Sequence, residues 1–303
     1  MAFPTETVYG LGASIALPEA VARIFTAKGR PPGHPLIVHG ADASVLDRYA
    51  REVPPLARVL AARFWPGPLT LVLERSGAVP DVVTGGRETV GLRVPAQPLA
   101  LAMLRDVGAG VAAPSANPFG RTSPTTARHV LADLGDRVDL VLDGGPCGVG
   151  LESTILDLTT SPPTVLRTGG LPVDVLEAAA GVALERVATG PARAPGMLAA
   201  HYAPRARVVI AEDHDAALAA AAGAGDRRVA ILSGSPVAGR PAPIVPLVPD
   251  EPGAEGYARA LYDLLRRADA LGVDLVVAVP PPPGGLGDAI RDRLGRAAAD
   301  QPG

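Results

Sequence analysis

The sequence predicts an α/β protein of two layered domains, and three observations carry that prediction. Short apolar runs alternate with longer amphipathic stretches along the whole chain. Glycine and proline, 35 and 33 of the 303 residues, punctuate nearly every junction between them. Finally, the alternation changes character. Up to about residue 188 strands and helices interleave irregularly, which suits a twisted, mixed, open sheet with helices. Beyond residue 205 they follow a βαββαβα order, which suits a small Rossmann-like domain with a largely parallel sheet. A hydrophobic content of 48% and a mean hydropathy of +0.24 supply enough apolar surface for both cores and place the chain outside the disordered class.

In order, a strand is expected over 1–9, entering the Gly10-Leu-Gly12 turn. Residues 18–27 carry helix chemistry: Pro18 suits a first turn, and Ala20, Val21, Ile24 and Phe25 form an apolar stripe. A strand follows over 36–39. A helix over 55–64 stops at the breaker Trp65-Pro-Gly-Pro68. Strands over 69–73 and 90–94 and a helix over 99–104 lead to a strand over 110–113, which runs into Pro114-Ser-Ala-Asn117. Thr125 or Thr126 can cap the next helix. Strands over 140–143, 153–157 and 164–167 complete the first domain, residues 1–188. Residues 189–205 read as an interdomain linker, with Met197, His201 and Tyr202 unusual in a passive spacer. In the second domain, 206–303, strands are expected over 207–211, 228–232, 244–247 and 274–279, and helices over 215–222, 256–271 and 287–299.

The composition narrows the function classes. A net charge of −3 and an isoelectric point near 6.0 provide no global basic field for nucleic acid. The single cysteine, Cys147, permits neither an intrachain disulfide nor a multi-thiolate metal site, and it reads as a small buried hydrophobe rather than a catalytic thiol. No apolar run is long enough to span a membrane and no signal segment opens the chain, so a cytoplasmic protein is expected.

The chemistry-bearing residues are hydroxyls, amides, arginines and one lysine. Lys28 and Arg30 lie two apart beside Gly29, where both can face one anion. The alternative is a solvated helix end, with both cations complementing the macrodipole. His34 and His39 have no carboxylate or cysteine cluster for a metal, and His39 reads as a hydrogen-bonding pocket residue. Pro114-Ser-Ala-Asn117 sets a hydroxyl and an amide at a strand end, although an ordinary Ser/Asn turn has the same composition. Gly150-Leu-Glu-Ser-Thr154 and Val165-Leu-Arg-Thr-Gly169 add hydroxyls and Arg167. Arg93, in the apolar strand Thr89-Val-Gly-Leu-Arg93, needs a buried anionic partner. There is no P-loop, nucleophile elbow or complete dinucleotide fingerprint. Such an inventory suits chemistry in which the protein positions substrates and neutralises phosphate.

Together these segments resemble the Sua5/YrdC/YciO family in its two-domain, Sua5-type form, over nearly the whole chain. The resemblance rests on Pro4-Thr-Glu-Thr-Val-Tyr-Gly-Leu-Gly12, Lys28-Gly-Arg30 with Pro35-Leu-Ile-Val-His39, Pro114-Ser-Ala-Asn117, Glu152-Ser-Thr154, the linker residues Pro195-Gly-Met197 and His201-Tyr-Ala-Pro204, and the closing Gly285-Leu-Gly-Asp-Ala-Ile-Arg-Asp-Arg-Leu294. It implies synthesis of L-threonylcarbamoyladenylate and pyrophosphate from L-threonine, bicarbonate and ATP, as the first step of N6-threonylcarbamoylation of adenosine 37 in tRNA. It implies that Thr7, His39, Arg93, Ser115 and Ser153 hold threonine or its carbamate. Arg30, His34, Thr89, Asn117, Ser123 and Arg167 would hold ATP, with Lys28 facing the phosphates and His201 and Tyr202 closing over the nucleotide as part of a linker lid. Lys28 and Arg30 would be the catalytic pair. No resident metal is implied, since Mg2+ arrives with ATP. The product would pass to a tRNA threonylcarbamoyl transferase machinery, and contact with tRNA or double-stranded RNA is a further implied partner.

Three departures from the family pattern stand out. His34 occupies a position where the family has asparagine. The linker lacks the basic and aromatic residues found before its His-Tyr pair. Some twenty residues that normally precede the Pro-Thr-Glu-Thr segment have no counterpart, so a misassigned or truncated start is expected. Two rival readings make different demands. A non-catalytic RNA-binding module is opposed by the acidic isoelectric point and the scarcity of aromatics. The carbamoyl-adenylate chemistry of hydrogenase-maturation relatives comes with a larger chain bearing zinc-finger-like cysteines, absent from this sequence.

Overall fold

The computed structural model describes residues 1–186, 202–239 and 243–299. They form two compact units. The first comprises Met1–Phe119, Pro124–Gly148 and the described residues from Glu152 to Arg186. The second comprises Gly120–Ser123, Val149–Leu151 and the described residues from Tyr202. Most of the expected 189–205 linker lies outside the described residues.

In the first unit the chain runs through β1 (Ala2–Phe3), β2 (Gly10–Leu11), β3 (Ala13–Ser14), α1 (Pro18–Lys28), β4 (Ile37–His39), α2 (Val45–Tyr49), α3 (Pro55–Phe64), β5 (Leu69–Glu74), α4 (Asp81–Thr84), β6 (Thr89–Arg93), α5 (Pro98–Val107), β7 (Val111–Ala113), α6 (Ala127–Leu134), β8 (Thr154–Asp157), β9 (Thr164–Arg167), α7 (Val173–Ala180) and β10 (Glu185–Arg186). Local chemistry sets the helix ends. Pro18 opens α1, and Gly29, left-handed at φ 61°, closes it. The Gln97 side chain caps α5 by accepting from Ala100 N at 2.9 Å, and Thr126 caps α6 by accepting from His129 N at 3.3 Å.

Eight strands form one mixed sheet in the order β10-β9-β8-β5-β6-β4-β7-β3, and β1 pairs with β2 separately. Strand alternation gives this sheet two chemically different faces. Val38, Leu69, Leu71, Leu73, Val90, Leu92 and Leu156 point into the main core against the helices. The other face carries Ile37 and His39 of β4, Thr70 and Val72 of β5, and Thr89 and Arg93 of β6. Its floor is a separate apolar cluster of Ile37, Val72, Ile155 and Leu166. Gly91 lies between these residues, and a Cβ there would come within 3.2 Å of the Thr70 methyl.

The second unit contains β11 (Arg207–Ile210), α8 (His214–Ala222), β12 (Val229–Leu232), β13 (Val245–Leu247), α9 (Gly253–Ala270), β14 (Leu275–Ala278) and α10 (Leu286–Ala298). Its sheet, ordered β11-β14-β12-β13, is parallel throughout. The expected βαββαβα order is the observed one.

Two expected strands are not formed as drawn. Over 1–9 only Ala2–Phe3 is extended, because Pro4 leads into a tight turn in which Thr5 Oγ1 accepts from Thr7 N and Val8 N, each at 3.2 Å. Over 140–143 there is a single bridge from Val141 to Ala2. The two-residue β1 is too short to extend that ladder, and Gly145 at φ 79° turns the chain away. Helices α2, α4 and α7 and strands β2, β3 and β10 had no counterpart in the sequence expectations, which read Gly10-Leu-Gly12 as a turn.

Candidate active site

The carboxyl ends of the parallel strands β4 and β6 put His39 and Arg93 side by side as register partners. Arg93 is buried, and the anion its strand position demands is Glu6. Arg93 Nη2 donates to Glu6 Oε1 at 2.6 Å and to Thr7 Oγ1 at 2.9 Å, while Nε donates to the Gly67 carbonyl at 3.3 Å. Nη1 is left with its donors unused among the described residues. Glu6 is held in turn by Ala96 N at 2.9 Å, and Thr7 shares a hydroxyl bond of 2.7 Å with Thr5. His39 Nδ1 lies 3.2 Å from the Ile37 carbonyl, and the Val111 backbone is a second hydrogen-bond partner of the ring. Burial, chiefly, and the Arg93 charge lower its pKa to about 3. The ring is neutral throughout the physiological range.

Further along the same sheet end, Ser153 bridges two strands. Its hydroxyl pairs with Thr70 Oγ1 at 2.8 Å and accepts from Arg167 Nη2 at 3.1 Å. Arg167 also grips the Ser153 carbonyl through Nε at 3.0 Å and Nη2 at 2.9 Å. Arg167, expected among the ATP residues, is thus coupled directly to a residue expected in the threonine set.

Lys28, Arg30, His34 and Asn117 gather around Phe119. The Arg30 guanidinium lies 5.6 Å from the Phe119 ring centroid and Nη2 donates to the Pro35 carbonyl at 3.1 Å. His34 packs edge-on to the same ring at 5.4 Å. Burial, then the charges of Arg30 and Arg87, lower the His34 pKa, so it presents a neutral ring. Here the expected pair of loop cations needs correction. Lys28 is the last residue of α1 rather than part of a loop, and it is buried rather than solvated. Its Nζ donates to the carbonyls of Ser115 and Asn117 and faces Asn117 Oδ1. Burial and the neighbouring Arg30 push its pKa well below the usual lysine range, against the opposing pull of the Asp133 carboxylate.

The remaining expected residues are more dispersed. Ser115 bridges to Gly10 through its backbone, and no side-chain hydrogen bond joins it to Thr7, His39, Arg93 or Ser153. Thr89 shares the Arg93 face at the opposite end of β6. Ser123 belongs to the segment that groups with the second unit. Tyr202, expected to close over a nucleotide, is 1% exposed. It stacks on Tyr262 at 5.7 Å and lies 4.9 Å from the Arg293 guanidinium, all within the second unit. Stacking and burial hold the ring in that unit's interior. His201 lies outside the described residues. Cys147 is buried, and burial pushes its thiol up to about 12, as a structural cysteine requires.

Sequence reasoning did not single out Glu6, Thr70 or Phe119. A signal existed for the first two. The anion demanded by Arg93 had a candidate in the Thr-Glu-Thr run, and Thr70 is a hydroxyl in the otherwise apolar strand Leu69-Thr-Leu-Val-Leu73. Phe119 had none, because its role depends on the approach of two distant loops.

Two family models match the chain. One, described as telomere recombination, covers residues 1–169. The other, described as threonylcarbamoyl-AMP synthase, C-terminal domain, covers residues 171–299. The chain belongs to the Sua5/YciO/YrdC family. Among Sua5/YciO/YrdC relatives, a threonylcarbamoyl-AMP synthase of Pyrococcus abyssi is 42% identical over 98% of this chain and 90% of its own length. One of Bacillus subtilis is 43% identical over 98% and 89%. Among solved structures, P. abyssi Sua5 complexed with L-threonine superposes with a TM-score of 0.88 at 41% identity, covering 98% of this chain and 89% of that one. Escherichia coli YciO, at 30% identity and a TM-score of 0.50, covers 55% of this chain and 82% of its own.

Proposed function

We infer that the protein is a threonylcarbamoyl-AMP synthase that uses ATP and L-threonine. The observation that carries this reading is the pairing of a neutral His39 with a buried Arg93 whose Nη1 is unused among the described residues, inside a chain alike over 98% of its length to a synthase of that name. The unused guanidinium edge suits the threonine carboxylate, beside the neutral His39 ring. Thr7 and Ser153, already hydrogen-bonded to arginines, complete the threonine side, with Ser115 contributed by the turn after β7. Arg30, His34, Thr89, Asn117 and Arg167 serve ATP, which arrives with Mg2+.

The chemistry this implies is carbamate formation followed by adenylation. The threonine nitrogen forms a bond to the bicarbonate carbon and water leaves. A carbamate oxygen then attacks the α-phosphate and pyrophosphate leaves. Both partners in the second step are anions, so the site must neutralise charge and exclude the water that would hydrolyse the mixed anhydride. Arginines serve the first need and the buried sheet face the second. No covalent nucleophile is required, and positioning supplies much of the rate. A cytoplasmic setting and transfer of the product to a tRNA-modifying transferase, with or without tRNA contact by this chain, complete the proposal. The test is pyrophosphate release from ATP, expected to require L-threonine and bicarbonate together. Release that persists without threonine would refute the assignment.

A further inference from the structure

Of the 28 lysines and arginines in this chain, Lys28 alone is a lysine. Where arginine serves every other cationic position, this one needs something a guanidinium does not provide. The two groups differ in shape: an ammonium is a compact donor of three tetrahedral hydrogens, a guanidinium a wide planar fork.

The surroundings match the ammonium. Lys28 is 3% exposed, and three oxygens face its Nζ: the Ser115 carbonyl at 2.5 Å, the Asn117 carbonyl, and Asn117 Oδ1 at 3.5 Å. Three donors meet three acceptors, so none is left for a phosphate oxygen. The Lys28 carbonyl also accepts from Phe119 N at 2.8 Å, so the backbone of the residue holds the chain just after the turn that its side chain binds. That turn is tied from its other side as well, by Ala116 N to the Tyr9 carbonyl at 2.8 Å and by Leu11 N to the Pro114 carbonyl at 2.9 Å.

We propose that Lys28 is a positioning residue and not a nucleotide ligand: its ammonium clamps the turn 114–117 to the end of α1 and so sets Ser115 and Asn117 for threonine and ATP. The proposal rests on the functional assignment of those two residues above. It also explains the solitary lysine, because the space between two carbonyls and an amide accepts a point donor but not a planar fork.

Amine acylation of the wild-type protein tests it directly, because the side-chain amine to be followed is unique in the chain. N-hydroxysuccinimidyl acetate should leave Lys28 unmodified with and without Mg·ATP and acylate it only after unfolding in urea, as read by peptide mass spectrometry. Acylation of the native free enzyme that Mg·ATP suppresses would overturn the proposal, since a phosphate ligand behaves that way. In the variants, Lys28→Met should weaken threonine and ATP binding together, each by about tenfold or more, and Lys28→Arg should not restore either. Loss of ATP affinity alone, or its rescue by arginine, would equally overturn the clamp. Wild-type protein without threonine-dependent pyrophosphate release would instead defeat the functional assignment and leave the acylation pattern unchanged.

Discussion

Acid should destabilise this protein through His39, and substituting that one side chain should remove the effect. The imidazole is buried and its pKa is lowered to about 3, against an ordinary 6.5 in the unfolded chain. The sign follows from linkage. Above pH 6.5 neither state binds the proton and the group contributes nothing to the pH dependence. Between 6.5 and 3 the unfolded chain is protonated and the folded one is not, so stability falls as pH falls. The slope is about 1.4 kcal/mol per pH unit, which accumulates to about 2 kcal/mol at pH 5. Urea unfolding followed by the fluorescence of Trp65, the chain's one tryptophan, reports on the first unit. Wild type and His39→Asn should be compared at pH 7.5 and pH 5, so that the other titrating groups cancel in the difference. The wild type should lose about 2 kcal/mol more than the variant. Parallel pH profiles would show that the ring is protonated in the folded state, and the neutral His39 of the proposed site would be wrong.

Other substitutions probe the same arrangement. Arg93→Ala leaves the largely buried Glu6 carboxylate without its ion pair and should cost about 3–5 kcal/mol of stability. Glu6→Gln retains a neutral acceptor for Arg93 and should cost clearly less; equal losses in chemical denaturation would contradict the pairing. Arg30→Ala should lower turnover by about 10²-fold or more, measured as pyrophosphate release, and a variant of wild-type activity would remove Arg30 from the nucleotide site. Cys147→Ser should leave turnover nearly unchanged and lose about 1–2 kcal/mol from its buried hydroxyl. Iodoacetamide labelling of the native wild-type thiol at pH 8 would contradict the burial that holds the thiol up at about 12.

Features legible in the sequence are those set by neighbours along the chain. The helix over 55–64 matches α3 residue for residue, because a proline start and a Trp-Pro-Gly-Pro stop are local signals. The parallel second sheet followed from strand–helix alternation, since a parallel return needs a crossover of helix length. Arg93 announced a buried anion by its apolar setting. The strand over 140–143 failed because a strand needs a partner of matching length, and that partner lies far away in sequence. Glu6 stands 87 positions from Arg93, and Thr70 stands 83 from Ser153. No local pattern encodes such pairings.

By itself, then, the sequence determined the two-domain α/β plan, the residue types of the site and, through joint motifs, the family. Tertiary structure alone decided which of those residues meet. It placed Glu6 on Arg93, joined Arg167 to Ser153, buried Tyr202 in the second unit and tied Lys28 to a turn 87 residues further on. The reason is physical. Propensity and periodicity act over a few residues, whereas a buried charge finds its partner wherever strand register and helix packing bring one within hydrogen-bond reach.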